Sequence, residues 1–258
     1  MKRITLLAFA LLISLVLTQS AAAWGQLGHY VVGYLAQKQM KKSSLKKVNG
    51  VLGTMSIGRS GTWMDEIKSD KAYDYLYSWH FLTSDHGEFD KAIQEKGGNA
   101  YEAINQLKAE LKGGNLSPEE ESQKLKMLIH IVEDIHQPLH VGTGKDRGGN
   151  DEKVEYFGKS SNLHSVWDTE MIEGWNMSYT EIGDELYRRL TPTVKTNYRN
   201  SSIDDWLNEA VALRPLIYKL PENKKLSYNY GYDTRDALEE RLLAASVRLA
   251  HILEEIYR

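Results

Sequence analysis

His130 and Asp134 lie four residues apart in the segment His130-Ile-Val-Glu-Asp134-Ile-His136-Gln-Pro-Leu-His140. On a helix that spacing puts an imidazole and a carboxylate on one face. Pro138 then ends the helix and lets His140 approach from a non-helical position. The same spacing recurs as His164 and Asp168 in Asn162-Leu-His164-Ser-Val-Trp-Asp168. One such pair is ordinarily a structural hydrogen bond. Two pairs with a further histidine are a metal-ligand pattern. His130 also sits among Leu128, Ile129, Ile131 and Val132, where a buried charge is costly unless it is paired or bound to metal. The chain has no cysteine. Thiolate sites, iron–sulfur clusters, disulfides and a cysteine nucleophile are therefore excluded. Imidazole with carboxylate is the set that suits zinc.

The elements that must position these groups read mainly as helices. Tyr30–Val48, 97–111, Pro118–Gln137, Tyr179–Leu190, Ile203–Leu213 and Thr234–Tyr257 all carry apolar residues at helical spacing. Ser117 before Pro118 is a cap-and-first-turn signal. The stripe Leu125, Leu128, Ile129, Val132 and Ile135 makes that helix the most apolar after residue 23. A strand pair is predicted at Lys153–Phe157 and Asn162–Val166 around Gly158. No repeat or long linker divides the chain. The expected fold is one all-α domain over residues 24–258, with long loops and at most a small β-hairpin. The net charge of −3 gives no basic field of the kind that advertises nucleic acid.

Lys2 and Arg3, the apolar run Ile4–Leu17 and then Ala21-Ala22-Ala23 have the layout of a secretory signal peptide. The run is shorter than the roughly 20 residues that span a bilayer. Residues 1–23 are expected to be removed and the protein exported, to a periplasm or beyond the cell. Trp24 would then carry a free α-amine. Without disulfides, such a protein must be held by its core, by metal, or by both.

Six blocks in order resemble the zinc-dependent single-strand nucleases of the S1/P1 type, within the superfamily that includes zinc phospholipase C. They are Trp24-Gly-Gln-Leu-Gly-His29, Trp63-Met-Asp65-Glu-Ile-Lys68, Trp79-His80-Phe81, the His130–His140 segment, Asp146-Arg-Gly-Gly-Asn150 and Asn162–Asp168. The resemblance implies a predominantly helical fold and three zinc ions. One ion would be held by Asp65, His80, His130 and Asp134. A second would be held by His140, His164 and Asp168. The third would take the α-amine and carbonyl of Trp24, with His29 and Asp134. The resemblance also implies that Asp65 orients the attacking water and that Lys68 neutralises charge in the transition state. The implied activity is hydrolysis of single-stranded DNA and RNA to 5′-phosphate products, with 3′-nucleotidase activity beside it. No stable protein partner is implied, and no membrane contact once the signal is gone.

Base recognition departs from the family pattern. Phe81 and Asn150 match base-pocket positions, but Thr83 stands where the family commonly has an acid, and the nearest acid is Asp85. His136 is expected to orient a ligand or cap a turn, and His86 and His251 to be surface or packing residues. Two other functions fit the ligand pattern: a phosphodiesterase of the same fold acting on a phospholipid head group, and an exported zinc-binding protein without turnover. An aromatic or basic rim would favour the lipid enzyme, and none is evident in the sequence.

Overall fold

Ser117 accepts a hydrogen bond from the backbone of Glu120, and Glu120 reaches back to the backbone of Ser117, with Pro118 in the first turn. This reciprocal cap, worth about 1 kcal/mol, starts the helix that carries His130 and Asp134. The computed structural model describes residues 24–85 and 99–258. The predicted signal peptide and His86 lie outside them.

The helices in chain order are α1 (Gln26–Gln39), α2 (Lys42–Leu52), α3 (Ile57–Gly61), α4 (Trp63–Glu66), α5 (Ala100–Gly113), α6 (Pro118–Asp134), α7 (Leu163–Ser165), α8 (Met171–Glu173), α9 (Tyr179–Arg188), α10 (Pro192–Arg199), α11 (Ile203–Ala212), α12 (Arg214–Ile217) and α13 (Tyr228–Ile256). Tight 3-10 segments run over Lys71–His80 and Pro138–His140. A π-helical turn covers Val166–Glu170. The all-α expectation holds. The long α13 packs on α1, with α6, α9 and α10 around it. Leu238, Leu242, Leu249 and Leu253 of α13 are buried with Val32 and Leu35 of α1 and Leu125, Leu128 and Ile129 of α6.

Several predicted boundaries move. The single helix expected over Tyr30–Val48 is two, broken at Met40, whose backbone is extended. The carboxylate of Glu254 on α13 accepts from the Lys41 amide at 2.7 Å and satisfies the break. Helix α6 stops at Asp134, ahead of Gln137, and α13 begins at Tyr228 rather than Thr234. The helix α10 and the 3-10 segment Lys71–His80 have no counterpart in the expectation.

The strands are short. β1 (Leu82–Thr83) pairs in parallel with β2 (Val141–Gly142). β3 (Lys153–Tyr156) pairs antiparallel with β4 (Lys159–Asn162), and in parallel with β5 (Lys225–Leu226). The predicted second strand at Asn162–Val166 is therefore misplaced, because the turn comes at Phe157-Gly158, both with positive φ (48° and 81°). At that tip the exposed Phe157 meets Tyr228 edge-on, an aromatic pair that the sequence did not suggest. The β1–β2 pair matters most, since it ties the chain after His80 to the chain after His140. Among the described residues, no helix is long and apolar enough to cross a membrane.

Candidate metal centre and cleft

The nine predicted metal-binding residues come from distant parts of the chain, and eight bring side chains to one place. His29 lies on α1, Asp65 on α4, and His130 and Asp134 on α6. His80 and His140 each end a 3-10 segment, and the two rings come within 3.1 and 3.8 Å of Asp134 on α6. His164 is on α7, and Asp168 is in the π turn. Such turns re-aim side chains and recur at functional sites.

Three groups form. His80, His130 and Asp134 make one; His29, Asp65 and His130 a second; His140, His164 and Asp168 a third. Asp134 Oδ2 stands 2.9 Å from His130 Nε2 and 3.1 Å from His80 Nδ1. His29 Nε2 is 3.6 Å from Asp134 Oδ1 and 3.8 Å from Asp65 Oδ2. Asp168 is 3.1 Å from His164 Nε2 and 3.5 Å from His140 Nε2. Two ligands of one tetrahedral zinc, each about 2.0–2.1 Å from it, stand roughly 3.3 Å apart. His29 Nε2, Asp134 Oδ1, His140 Nε2 and His164 Nε2 are buried without a hydrogen-bond partner. Orphaned polar atoms facing one another at ligand spacing fit zinc and are otherwise costly.

The opposite ring edges of His29, His130, His140 and His164 are engaged. His130 Nδ1 donates to Gly61 O at 2.5 Å, His140 Nδ1 to His80 O at 2.8 Å and His164 Nδ1 to Gly148 O at 2.7 Å. This fixes the tautomer that leaves Nε2 for metal. The glycines of Asp146–Asn150 serve that contact. Gly148 and Gly149 have φ of 61° and 81°, and a Cβ on Gly148 would come within 2.3 Å of Leu139 O. Only glycine lets the loop present its carbonyl to His164.

Two residues that the sequence reading passed over hold ligands in place. Glu133 is fully buried beside Asp134, and its Oε2 is 2.5 Å from His29 Nδ1. The signal was available, as an acid next to Asp134 in the most apolar helix. Gln137 donates to Asp168 Oδ1 and accepts from the Leu139 amide at 2.5 Å. Trp24 is buried, and its indole donates to Glu133 O at 2.8 Å, while the Gly25 amide donates to Asp168 O at 2.8 Å. Of the two parts expected for His136, it takes the cap of a turn, at the end of α6. Its Nδ1 donates to Val132 O and its Nε2 accepts from Arg248, which joins α6 to α13 in the core. His251 is partly exposed beside Glu255, as a surface residue.

Without metal, the cluster is electrostatically tense. Burial pushes His29 down to about 3, helped by the neighbouring His130. Burial likewise takes His80 down to about 4, against its bond to Asp134. Burial would lower His140 too, but Asp134 and Asp168 outweigh it and raise the ring to about 9. Burial would raise Asp168, yet His164 and His140 bring it down to about 2. Burial and the adjacent Asp134 push Glu133 well above the carboxylate range.

The groups lie at the bottom of a cleft of about 480 Å³, lined by His80, His140 and His164 and by Lys68, Phe81, Thr83 and Asn150. Lys68 Nζ donates to Asp65 Oδ1 at 2.6 Å. Lys68, Arg147 and Lys153 put three cations on the wall, and no carboxylate is among the described residues that line it. The chain is negative overall, so this local field is a property of the cleft. Asp85 does not line it; its carboxylate accepts from the Gly144 amide at 2.8 Å. The Asn150 amide group is also engaged, donating to Arg147 O at 2.9 Å.

The family model described as S1/P1 nuclease matches residues 24–258. The chain belongs to the S1/P1 nuclease family. Nuclease S1 of Aspergillus oryzae (strain ATCC 42149 / RIB 40) is 31% identical over 207 residues, spanning 75% of this chain and 70% of that protein. Endonuclease 3 of Arabidopsis thaliana is 29% identical over 289 residues, spanning 94% and 93%. Nuclease P1 of Penicillium citrinum is 30% identical over 158 residues, spanning 57% and 58%. The protein is thus a nuclease, a hydrolase acting on nucleic acid, in a zinc-dependent family, and its His and Asp groups are able to hold metal.

Proposed function

We propose that this nuclease is an exported endonuclease holding three zinc ions, which cuts single-stranded DNA and RNA to 5′-phosphate products and also removes 3′-phosphates from nucleotides. The observation that carries the reading is the cleft: cationic, with no carboxylate among the described residues of its wall, bearing Phe81, and opening onto the buried His and Asp groups.

The ligand sets are Asp65, His80, His130 and Asp134 for one ion, and His140, His164 and Asp168 for another. His29, Asp134 and the Trp24 amine and carbonyl, freed by removal of residues 1–23, complete the third. Zinc held there would supply an activated water and would draw negative charge from phosphate oxygens. Asp65 keeps its carboxylate ionised: burial opposes this, but His130, Lys68 and His29 outweigh it. It can therefore accept a proton-bearing nucleophile in hydrogen bonding and orient it. Lys68, beside Asp65, puts a positive charge where a phosphate develops negative charge. Phe81 offers a ring for a splayed base, and a paired base cannot reach it without leaving its stack. Thr83 lines the same wall with a neutral hydroxyl, which discriminates weakly among bases.

The test is cleavage of matched single- and double-stranded DNA and RNA, with zinc counted per chain and product ends identified. Faster cutting of duplex than of single strands would overturn the substrate assignment. Fewer than three zinc ions in fully active, processed protein would overturn the metal assignment. Release of head groups from phospholipid vesicles at a comparable rate would favour the lipid enzyme instead.

A further inference from the structure

Phe81 is not alone on its wall. Tyr77, four residues earlier on the 3-10 segment, also lines the cleft. Its ring centroid is 5.7 Å from that of Phe81 and the planes are 81° apart. Tyr77 is 67% exposed, far more than packing against Phe81 requires, and a large exposed aromatic beside a cationic cleft is a stacking surface. Lys153 and Arg147 line the same cleft. Arg147 stands near enough to Tyr77 for the phenol to act on its guanidinium, though less than Asp151 does. Asp151 holds the guanidinium in place through Nε at 2.9 Å and Nη2 at 2.5 Å, and Lys153 Nζ is anchored on Asn150 O at 2.9 Å. Two anchored cations on the wall of a cleft that also bears an exposed ring match the repeat of a nucleic-acid strand, in which bases alternate with phosphates.

We propose that Tyr77, Arg147 and Lys153 form a second nucleotide subsite: the base next to the one on Phe81 stacks on Tyr77, and the phosphate joining that nucleotide to the strand lies between Arg147 and Lys153. The inference rests on the single-strand reading above and deepens it. Because the two rings stand nearly perpendicular, bases lying on them cannot stack on each other. The strand must be bent between them. A flexible single strand adopts that bend at little cost, whereas a duplex must unpair and unstack at this step. Selection against duplex would thus come from the angle between two side chains, beyond the fit of a single base on Phe81.

The test uses the zinc-loaded protein and a fluorescently labelled five-nucleotide thymidylate with phosphorothioate linkages, whose binding is followed by anisotropy. Tyr77→Ala should weaken Kd at least about fivefold, the lower end of one base–aromatic stack, while Tyr77→Phe should keep Kd within about twofold. Arg147→Ala should reduce the slope of log Kd against log salt by close to one phosphate's share, about 0.7. The melting temperatures of the variants guard against unfolding, and Tyr77 and Arg147 are both exposed. An unchanged Kd in Tyr77→Ala, or an equal loss in Tyr77→Phe, overturns the subsite. Either result leaves the nuclease reading standing, because that reading is tested separately by cleavage of single and double strands.

Discussion

Glu133 Oε2 and His29 Nδ1 stand 2.5 Å apart where neither side chain reaches solvent. The contact turns His29 Nε2 toward Asp134 and Asp65. Its neighbour Gly61 has no Cβ for a reason: one would fall 2.2 Å from the same Glu133 oxygen.

Glu133→Gln should therefore weaken zinc binding at His29 by about 10–100-fold, the usual cost of losing a carboxylate behind a ligating histidine. Competition against a chelator of known affinity measures it. Unchanged affinity at every zinc would show that Glu133 only fills space.

Lys68→Ala should lower kcat by about 10²–10³, the effect of removing one transition-state charge donor. Lys68→Arg should recover part of it. A loss below about threefold would mean that the lysine serves only to neutralise Asp65.

The metal-free protein should respond to pH in the opposite sense to the loaded one. His140 is raised from 6.5 to about 9. Its contribution to stability is complete below about 6.5 and lost as pH rises through about 9, at most about 3 kcal/mol. Zinc competes with that proton, so metal-conferred stability grows over the same interval. Melting curves of chelated and loaded protein between pH 6.5 and 9 should diverge. Parallel curves would detach His140 from the metal.

Phe81→Ala should raise the barrier for every base by roughly 1–3 kcal/mol. Thr83→Asp should instead favour bases that present donors, by up to roughly 1–3 kcal/mol. The check is kcat/KM for four dinucleotides differing at one base. A wild-type preference above about a hundredfold, roughly 2.7 kcal/mol, would show that Thr83 is not what faces the base.

Protein made with extra residues before Trp24 should lose the zinc assigned to the α-amine, because an amide nitrogen is a poor neutral ligand. It should keep the one at His140, His164 and Asp168. Equal zinc content in extended and processed protein would remove Trp24 from the ligands.

Of the His and Asp side chains that the fold gathers, His130, Asp134, His140, His164 and Asp168 were legible because their chemistry is scarce, while His29, Asp65 and His80 came only from the family resemblance. With no cysteine, few side chains can bind zinc, and the i, i+4 spacings of His130 with Asp134 and His164 with Asp168 survive in the fold as contacts of 2.9 and 3.1 Å. What failed depended on partners far along the chain. The break at Met40 is held by Glu254, which no local pattern announces. The second strand was set too late because Phe157 adopts positive φ before Gly158, a conformation uncommon for a bulky residue. Glu133 and Gln137 were in plain view within the ligand segment, but their roles follow from burial. His136 illustrates the converse: it has the right chemistry beside the ligands, yet it turns to Arg248.

The packing of α1 on α13 carries a consequence for how the molecule is made. The buried face of α1, with Val31, Val32 and Leu35, is shared mainly by α3, α9 and α13, and α13 ends at Ile256. A growing chain has chiefly α3 and α9 against which to close α1 until α13 has been made. Completion of the core, though not its beginning, is thus deferred to the synthesis of α13.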